Sequence, residues 1–274
     1  MKRHIPSIIP FICVNYGTYQ ETIKYIENII GLKDSDKALI IVVDNSPNIL
    51  DFEKLNEYKK RFSLSDSELI IIKEENKGYF QGLNVGIKHA KSLNTACKYY
   101  VVGNNDIIFK EDFITQILNY VLDENTFVIC PDVITTEGSH ENPHVIKPIG
   151  FIRKLKYDIY YSSFTIARIL RRVKSTERRY KKYDPHKKYI HMGIGALYIL
   201  TPNFFKFFDS LWEDVFLYGE EAILAGQLKS VGGKMIYDPK FICNHNESST
   251  TSKMETYSKY KIIQQSYKVY KKYL

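Results

Sequence analysis

Polar residues follow three of the apolar runs in the first half of the chain. Asp44 follows one run, Asn76-Lys77-Gly78 follows the next, and Asn104-Asn105-Asp106 follows a third. Taken singly, each is an ordinary turn sequence. If the runs are buried parallel strands, the three segments lie along one edge of one sheet, which is where open α/β sheets bind ligands. The pattern therefore predicts a ligand-binding edge that carries two carboxylates and a glycine-rich turn.

The residue types suit a nucleotide diphosphate at this edge. Asp44 would accept hydrogen bonds from a base or a ribose. Gly78, Gly82 and Gly86 would let the backbone approach the ligand closely, because glycine has no side chain. Asp106 would bind Mg²⁺ or Mn²⁺, which need few protein carboxylates when substrate phosphates complete the shell. Such an ion would neutralise charge on a departing nucleotide.

Short apolar runs alternate with segments of helical periodicity, which is typical of βαβ units and a mostly parallel sheet. The predicted strands are 8–14, 39–43, 69–72, 99–102, 127–130, 197–200 and about 235–237. The predicted helices lie within 23–30, 52–61, 82–91, 113–121, 202–208 and 220–230, with a last one over 257–274. Residues 151–182 have the pattern of an amphipathic helical insertion. We therefore predict one α/β domain with an appendage.

Positive charge is concentrated in two segments. Residues 151–190 hold 13 Lys/Arg against three Asp/Glu, and residues 253–274 hold six against one. These segments carry net charges of +10 and +5, which leaves −7 for the rest of a chain whose total is +8. Both segments interleave apolar residues with basic ones, which suits an anionic membrane interface. Nucleic acid and a solvated surface are the alternatives.

The cysteines and the N-terminal residues bear on location. Cys13, Cys97, Cys130 and Cys243 are far apart in apolar contexts, which predicts buried free thiols. The apolar run 5–14 contains two prolines and is too short to span a membrane, and no small-residue cleavage site follows it. We therefore expect a cytoplasmic protein.

Four motifs occur in order along the chain. They are V-V-D-N-S at 42–46, N-K-G-Y-F-Q-G-L-N-V-G at 76–86, N-N-D at 104–106 and F-L-Y-G-E-E at 216–221. Together they resemble the inverting family 2 glycosyltransferases, most closely the rhamnosyltransferase-like bacterial branch that builds surface polysaccharides such as capsule and O-antigen. The resemblance covers about 7–250. It implies a GT-A type, Rossmann-like fold and a UDP-, dTDP- or GDP-sugar donor.

The resemblance assigns roles at the donor site. The implied donor-binding residues are Asn15, Asp44, Asn76, Lys77, Gly78, Gly82, Asn84, Asn104 and Asn105. Asp106 matches the last carboxylate of the family's D-x-D element, which binds Mn²⁺ or Mg²⁺. The two asparagines before it leave the site with less negative charge than a three-carboxylate version. His245 follows the last predicted strand, and the resemblance makes it a second metal ligand or a diphosphate contact instead of a surface histidine.

Inversion by direct displacement needs a carboxylate that deprotonates the acceptor hydroxyl. The family's E-D motif supplies this base from its second position, which here is Glu221, with Glu220 as an orienting residue or acceptor ligand. Without the resemblance, two acids at a helix start would be interpreted as complementing the helix dipole. Gly193 and Gly195 match a glycine-rich loop expected to pack around the sugar, although a simple tight connection is nearly as compatible.

The implied organisation is a catalytic domain over 1–250 and a basic helical tail over 251–274. Within the domain, about 1–135 form the nucleotide-binding half, 151–190 a basic helical insertion and 191–250 the acceptor half. The implied acceptor is a glycan or a lipid-linked saccharide. This favours peripheral attachment to the inner face of the cell membrane over nucleic-acid binding.

Two other functions compete with glycosyl transfer. A sugar-phosphate nucleotidyltransferase would carry a glycine-rich phosphate loop after the first strand, where this chain has Asn15-Tyr16-Gly17-Thr18. A non-catalytic membrane- or nucleic-acid-binding protein on a degenerate glycosyltransferase fold is the second alternative. The presence of Asp106, Glu221 and the run 76–86 argues against it.

Overall fold

The computed structural model describes residues 8–93, 97–173, 180–246 and 256–274. The strands are β1 (Ile9–Asn15), β2 (Ala38–Asp44), β3 (Leu69–Lys73), β4 (Tyr100–Asn104), β5 (Ile107–Phe109), β6 (Thr126–Thr135), β7 (Lys188–Ile190), β8 (Leu197–Leu200) and β9 (Lys234–His245). The α-helices are α1 (Tyr19–Ile30), α2 (Leu50–Arg61), α3 (Tyr79–Ser92), α4 (Phe113–Leu118), α5 (Phe151–Ser162), α6 (Phe164–Val173), α7 (Pro202–Phe205), α8 (Glu220–Lys229) and α9 (Thr256–Tyr270). Short 3₁₀ turns occupy Ser35–Lys37 and Lys271–Tyr273.

All of these strands belong to one sheet, in the order β3-β2-β1-β4-β8-β6-β9-β5, with β7 also paired to β9. The first four strands in this order are mutually parallel, and β6 is parallel to β9. Strand β8 runs antiparallel between β4 and β6. Asn15 lies opposite Asp44, and Val14 lies opposite Asn104, so the polar strand ends meet at one edge. The predicted α/β fold with a mostly parallel sheet flanked by helices is confirmed.

The central strands are apolar on both faces because helices cover both sides of the sheet. All seven residues of β2 are buried. Helix α3 lies very close to β1: a Cβ built on Gly86 would lie 2.3 Å from Cγ2 of Ile12, and one on Gly82 would lie 2.7 Å from Cγ2 of Val14. The glycines at these two positions therefore permit close packing of helix on strand.

Two strands extend further than their sequence pattern indicates. Strand β6 reaches Thr135, and β9 continues to His245, which pairs with Ile107 of β5. The short strands β5 and β7 have no clear signal of their own, and both pair with β9. The polar residues near the end of β9 are strand residues because β5 and β6 pair with them.

The predicted helical insertion comprises two helices. Helices α5 and α6 are separated at Ser163, which is extended with φ −153° and ψ 142°. Residues 180–187 are not helical, and 174–179, within the predicted segment, lie outside the described residues. None of the helices in the described part of the chain is long and apolar enough to cross a membrane.

The predicted C-terminal helix, α9, packs against the body of the protein. Tyr260 and Tyr267 are buried, and the ring of Tyr267 lies 4.6 Å from that of Tyr161 on α5. Ser266 Oγ donates to the carbonyl oxygen of Leu217 at 2.7 Å. Helix α9 therefore joins α5 to the segment that precedes α8.

All four cysteines are free thiols, as predicted; Cys97 is half-buried and the other three are buried.

Candidate active site

A buried network of polar side chains ties together the ends of β1, β2 and β4. Its members, called the strand-end network below, are Asn15, Thr18, Thr22, Asp44, Ser46, Asp51 and Asn105. Asn15 is fully buried at its centre. The Asn15 amide nitrogen lies 2.7 Å from Asp44 Oδ1 and 2.9 Å from Asp51 Oδ2, and its amide oxygen accepts from Thr22 Oγ1 at 2.8 Å.

Asp44 and Asn105 also bind mainly to other protein groups. Asp44 has no exposed surface; its Oδ1 accepts from the Ser46 backbone N–H, and its Oδ2 lies 2.8 Å from Lys73 Nζ. The Asn105 amide nitrogen donates to Thr22 Oγ1 at 2.7 Å and to Thr18 Oγ1 at 2.9 Å. The amide nitrogens of Asn15 and Asn105 therefore hold the strand ends together, and the expected donor binding by these two residues stays a prediction.

The glycine-rich run 76–86 holds a neighbouring loop. The Asn84 amide donates to the carbonyl oxygen of Leu211 at 2.8 Å and accepts from the Leu211 N–H at 2.9 Å. Gly78 has φ +134°, and a Cβ there would lie 2.9 Å from the carbonyl oxygen of Phe216. The structure therefore uses Asn84 and Gly78 to fix the segment 211–216 before α8, and Gly82 to pack on β1. Their expected role as donor contacts stays a prediction.

Asn76 and Lys77 differ from the rest of this run because both are exposed. Asn76 Oδ1 accepts from the Gly78 N–H at 3.3 Å, and Lys77 Nζ lies 3.2 Å from Glu75 Oε2. These two residues are accessible to a ligand at the carboxyl edge of the sheet, so their expected donor contacts stay predictions.

Asp106 and His245 lie together at the ends of β4 and β9. Asp106 is buried, and its Oδ1 lies 3.4 Å from His245 Nε2. The Asn104 amide nitrogen lies 3.2 Å from the same imidazole nitrogen. His245 is the last residue of β9 and only 13% of its side chain is exposed. The expectation of a histidine in a loop after the strand is therefore corrected.

Glu141 holds the other side of the His245 ring. Its Oε2 lies 2.9 Å from His245 Nδ1, and Glu141 is itself buried. Burial lowers the pKa of His245, but hydrogen bonds and attraction from Asp106 and Glu141 outweigh it and raise the pKa to about 9. No spacing or motif marks Glu141 in the sequence, since it reaches His245 only after β6 and β9 have paired.

The donor chemistry of Asp106 and His245 fits a divalent cation. A carboxylate oxygen and an imidazole nitrogen converge, and an imidazole suits Mn²⁺ better than Mg²⁺, which prefers oxygen ligands. The described residues contain no group of three or more His, Cys, Asp or Glu side chains arranged to hold a metal. An ion between Asp106 and His245 would therefore need further ligands from substrate or water.

Glu220 and Glu221 open α8, directly after Gly219 with φ +94°. Glu221 Oε1 accepts from the Gly195 N–H at 3.2 Å, and a Cβ on Gly195 would lie only 2.8 Å from that oxygen. Glu220 is 5% exposed, and its Oε1 has no hydrogen-bond partner among the described residues. The glycine at 195 therefore gives the Glu221 carboxylate access to the backbone before β8.

Both acids resist ionisation. Burial, with repulsion from Glu221, raises the pKa of Glu220 to about 8, and burial raises the pKa of Glu221 as well. Adjacent carboxylates titrate as a pair, so the second negative charge costs more than the first. A carboxylate whose pKa is raised toward neutral is well suited to act as a general base.

Tyr79 connects the acids to the Asp106 region. Its hydroxyl lies 2.8 Å from Asn104 Oδ1 and 3.3 Å from the carbonyl oxygen of Gly195. A continuous set of contacts therefore links Glu221 to Asp106. We call this set the acid site: Tyr79, Asn104, Asp106, Glu141, Gly195, Glu220, Glu221 and His245. Tyr79 lies inside the motif at 76–86, but the sequence does not single it out.

Gly193 does not face the acid site. A Cβ on Gly193 would lie 2.3 Å from Cys130 Sγ, so the glycine permits close packing on β6. Gly195 makes room for Glu221 in the same way. The expected packing of both glycines around a sugar stays a prediction.

A search of curated proteins gave no significant match. The crystal structure of GalNAc-T7 with UDP, GalNAc and Mn²⁺ is 13% identical and covers 89% of this chain and 44% of that chain, with a TM-score of 0.60. The mannosyltransferase PcManGT from Pyrobaculum calidifontis, in complex with GDP-Man and Mn²⁺, is 15% identical over 88% of this chain and 57% of that chain, with a TM-score of 0.53. S. aureus TarS is 9% identical over 92% of this chain and 41% of that chain, also with a TM-score of 0.53.

These similarities show the fold, which is of the GT-A type. The chain spans about half the length of the three structures, with 44%, 57% and 41% of them covered. Residues 11–198 match the model described as glycosyl transferase family 2. Because this match covers more than half of the sequence, the chain belongs to glycosyl transferase family 2.

Proposed function

We propose that this chain is an inverting glycosyltransferase that moves a sugar from a nucleotide-diphosphate sugar to a hydroxyl group of a glycan or lipid-linked glycan. The observation that carries the proposal is the acid site. It brings Glu221 and the pair Asp106 and His245 to one edge of the sheet, linked through Tyr79. A candidate base and candidate metal ligands are thus adjacent to one ligand-binding edge in a family 2 chain.

Asp106 and His245 are the residues that would hold a divalent cation, Mn²⁺ or Mg²⁺. GalNAc-T7 and PcManGT, two of the similar structures, contain Mn²⁺ together with UDP or GDP-Man. When bound, the cation would supply positive charge that stabilises the departing nucleotide diphosphate. Glu141 would keep the His245 ring oriented toward it.

Glu221 is the proposed base. The acceptor oxygen attacks C1 of the sugar on the face opposite the nucleotide, and the bond from C1 to the diphosphate oxygen breaks. The bonding electron pair leaves with the diphosphate, and the hydroxyl proton passes to the Glu221 carboxylate. The Gly195 N–H orients that carboxylate. Glu220, protonated at neutral pH because its pKa is about 8, adds no second charge beside it.

The biological setting is a further part of the proposal. The motif order resembles the rhamnosyltransferase-like bacterial branch, so we propose a role in surface polysaccharide synthesis at the inner face of the cell membrane. Asn76, Lys77 and Asp44 would line the donor side. Because Lys73 covers Asp44, contact between Asp44 and the nucleotide's base requires Lys73 to move.

A donor screen tests the activity directly. UDP-, dTDP- and GDP-sugars are incubated with the chain and saccharide acceptors, with Mn²⁺ or with a chelator, and released nucleotide is measured. We expect release with at least one donor, loss of release with the chelator, and a product of inverted anomeric configuration by NMR. Product with retained configuration would contradict the mechanism, and failure of every donor and acceptor to turn over would contradict the activity.

The metal assignment has its own variant. Asp106→Ala should abolish metal-dependent donor binding, because it removes the only carboxylate proposed to contact the ion. Mass action predicts that donor with Mn²⁺ stabilises the unchanged chain by ~2.7 kcal/mol at one hundred times Kd, and thermal melts should show no such gain in the variant. Asp112→Ala, at an exposed position before α4, is the matched control. Unchanged turnover in Asp106→Ala would refute the assignment.

A further inference from the structure

Helices α5 and α6 each present large apolar side chains to solvent. These residues, called the apolar stripe, are Phe151, Ile152, Leu155 and Ile159 on α5 and Ile166, Ile169 and Leu170 on α6. Phe151 is 79% exposed and Ile152 is 71% exposed. On each helix the spacing places the apolar residues on one side. Large apolar side chains exposed together on one side of a helix indicate an interaction site.

The opposite sides of both helices are already used. Helix α5 packs on α9 through Tyr157 and Tyr161, whose rings lie 6.4 Å and 4.6 Å from the ring of Tyr267. Helix α6 packs there through Phe164, whose ring lies 5.2 Å from that of Tyr260. Both halves of the apolar stripe therefore face away from α9 and the protein body.

Basic residues accompany the apolar stripe. Within 151–173 the chain has six Lys/Arg and a single acid, Asp158, which gives a net charge of +5. Asp158 accepts a hydrogen bond from the Tyr267 hydroxyl at 2.9 Å, so it is directed toward α9. Arg168 and Arg172 are exposed beside the apolar residues of α6. The surface therefore combines apolar side chains with unbalanced positive charge.

We propose that the apolar stripe docks on an anionic lipid bilayer. Apolar side chains would enter the acyl boundary while the arginines and lysines contact anionic headgroups. A second copy of the chain fits less well, because a symmetric contact through this face would bring two surfaces of charge +5 together. Neither helix spans the bilayer; each lies along its surface.

The position of the stripe deepens the proposed function, on which this step rests. The rings of Tyr267 and Tyr270 lie 5.5 Å apart, and a Cβ on Gly219 would lie 2.1 Å from the Tyr270 ring. The apolar stripe, α9 and the start of α8 are therefore successive layers. At the usual 8–10 Å spacing of packed helices, Glu221 would stand roughly 20 Å from the bilayer. An acceptor attached to a lipid is within reach of a base at that height.

Vesicle flotation tests the docking without any turnover. The full chain is mixed with vesicles of phosphatidylcholine, with or without phosphatidylglycerol, and the bound fraction is measured at low and high salt. We expect binding only to the anionic vesicles and its reduction by salt, because exposed charges are screened. Absence of binding to anionic vesicles at low salt would overturn the proposal.

Two pairs of variants locate the surface. Ile152→Ser with Ile159→Ser should weaken anionic-vesicle binding about tenfold or more, since each exchange removes apolar surface from the acyl boundary. Phe62→Ser with Val121→Ser, two exposed apolar positions elsewhere, is the control. Arg168→Glu with Arg172→Glu should weaken binding at least as much, and Lys110→Glu with Lys240→Glu makes the same charge change on exposed lysines outside the surface. Equal effects of test and control pairs would overturn the assignment.

Further measurements distinguish bilayer docking from self-association and from failure of the proposed function. Sedimentation at rising protein concentration reports self-association, and a dimer abolished by Ile152→Ser with Ile159→Ser would replace the bilayer with a second copy. Transfer to a water-soluble acceptor should be unchanged in the stripe variants, because these residues are remote from the acid site. Normal transfer to a water-soluble acceptor without vesicle binding would refute only the docking surface. Vesicle binding without transfer to any acceptor would refute only the proposed function.

Discussion

Two buried polar clusters lie at the same edge of the sheet and differ in how their charges are satisfied. In the strand-end network, the carboxylate of Asp44 is matched by the Asn15 amide, by Ser46 and by the Lys73 ammonium. In the acid site, the buried Glu220 adjoins the partly buried Glu221, and Glu220 Oε1 has no hydrogen-bond partner in the part of the chain that the structure describes. The first cluster is complete, whereas the second contains a buried carboxyl group without a full set of hydrogen bonds.

The difference separates a structural role from a chemical one. Buried polar groups with full sets of partners stabilise a fold, and buried groups held with raised pKa values are typical of functional sites. Changes in the strand-end network should therefore reduce the free energy of unfolding. Changes in the acid site should reduce turnover while leaving the fold intact.

The largest expected effect is that of Glu221→Gln. Glutamine keeps the size and the hydrogen bond from Gly195 but cannot accept the hydroxyl proton, so kcat should fall roughly 10²- to 10⁴-fold. Donor binding and melting temperature should stay close to those of the unchanged chain. Glu111→Gln, at an exposed position, is the control. A nearly normal rate would move the base to Glu220 or elsewhere.

Asn15→Ala should have the next largest effect, and on stability instead of catalysis. It leaves buried Asp44, Asp51 and Thr22 short of a partner, which should lower the free energy of unfolding by roughly 2–4 kcal/mol. Chemical denaturation measures this loss, with the exposed Asn119→Ala as the control. Lost donor affinity at unchanged stability would instead return Asn15 to the donor site.

Glu141→Gln should weaken metal dependence more moderately. A carboxylate that orients a metal-ligating histidine is typically worth 10- to 100-fold in metal affinity. The Mn²⁺ concentration for half-maximal turnover should rise by roughly that factor, and saturating Mn²⁺ should restore most of kcat. Glu137→Gln, an exposed acid near the same strand, controls for loss of charge. An unchanged Mn²⁺ requirement would remove Glu141 from this role.

The smallest effect should be that of Glu220→Gln on the way the free energy of unfolding depends on pH. Because the folded pKa of Glu220 is about 8 and its ordinary value is 4.5, the folded chain binds more protons between these values, and the free energy of unfolding falls as pH rises. Glutamine removes this loss, so the variant should gain at least ~1 kcal/mol over the unchanged chain at alkaline pH and little at acidic pH.

Thermal melts across pH measure this effect. Glu53→Gln, at an exposed position on α2, should give no pH-dependent gain. A Glu220→Gln variant that is less stable at alkaline pH would mean that the ionised carboxylate has a stabilising partner. The two clusters would then be less different than their hydrogen bonds indicate.

Prediction from sequence was most successful where the signal is local. The apolar runs of β1, β2, β3 and β4 gave their strands to within a residue or two. The motifs predicted that Asp106 and Glu221 belong to one site, and contacts through Gly195, Tyr79 and Asn104 connect the two residues. Strand β5 and the end of β9 were missed, because their pairing partners are more than one hundred residues apart in sequence.

The glycines and asparagines show why motif residues were harder to interpret. Gly82, Gly193 and Asn84 were expected at ligands, yet each contacts a protein group. A glycine that admits a ligand and one that admits a neighbouring strand look the same in sequence, because both simply lack a side chain. Only the packed structure distinguishes what fills the space.

By itself the sequence determined the α/β alternation and the family motifs that contain Asp106 and Glu221, because hydrophobic period and strand-end polarity are local properties of the chain. Tertiary structure alone decided which polar groups are satisfied. It gave Asn15 a full set of partners, brought Glu141 and His245 together, and placed the buried Glu220 beside the partly buried Glu221 at the start of α8. Desolvation and charge pairing depend on neighbours in space, and neither is written in the order of residues.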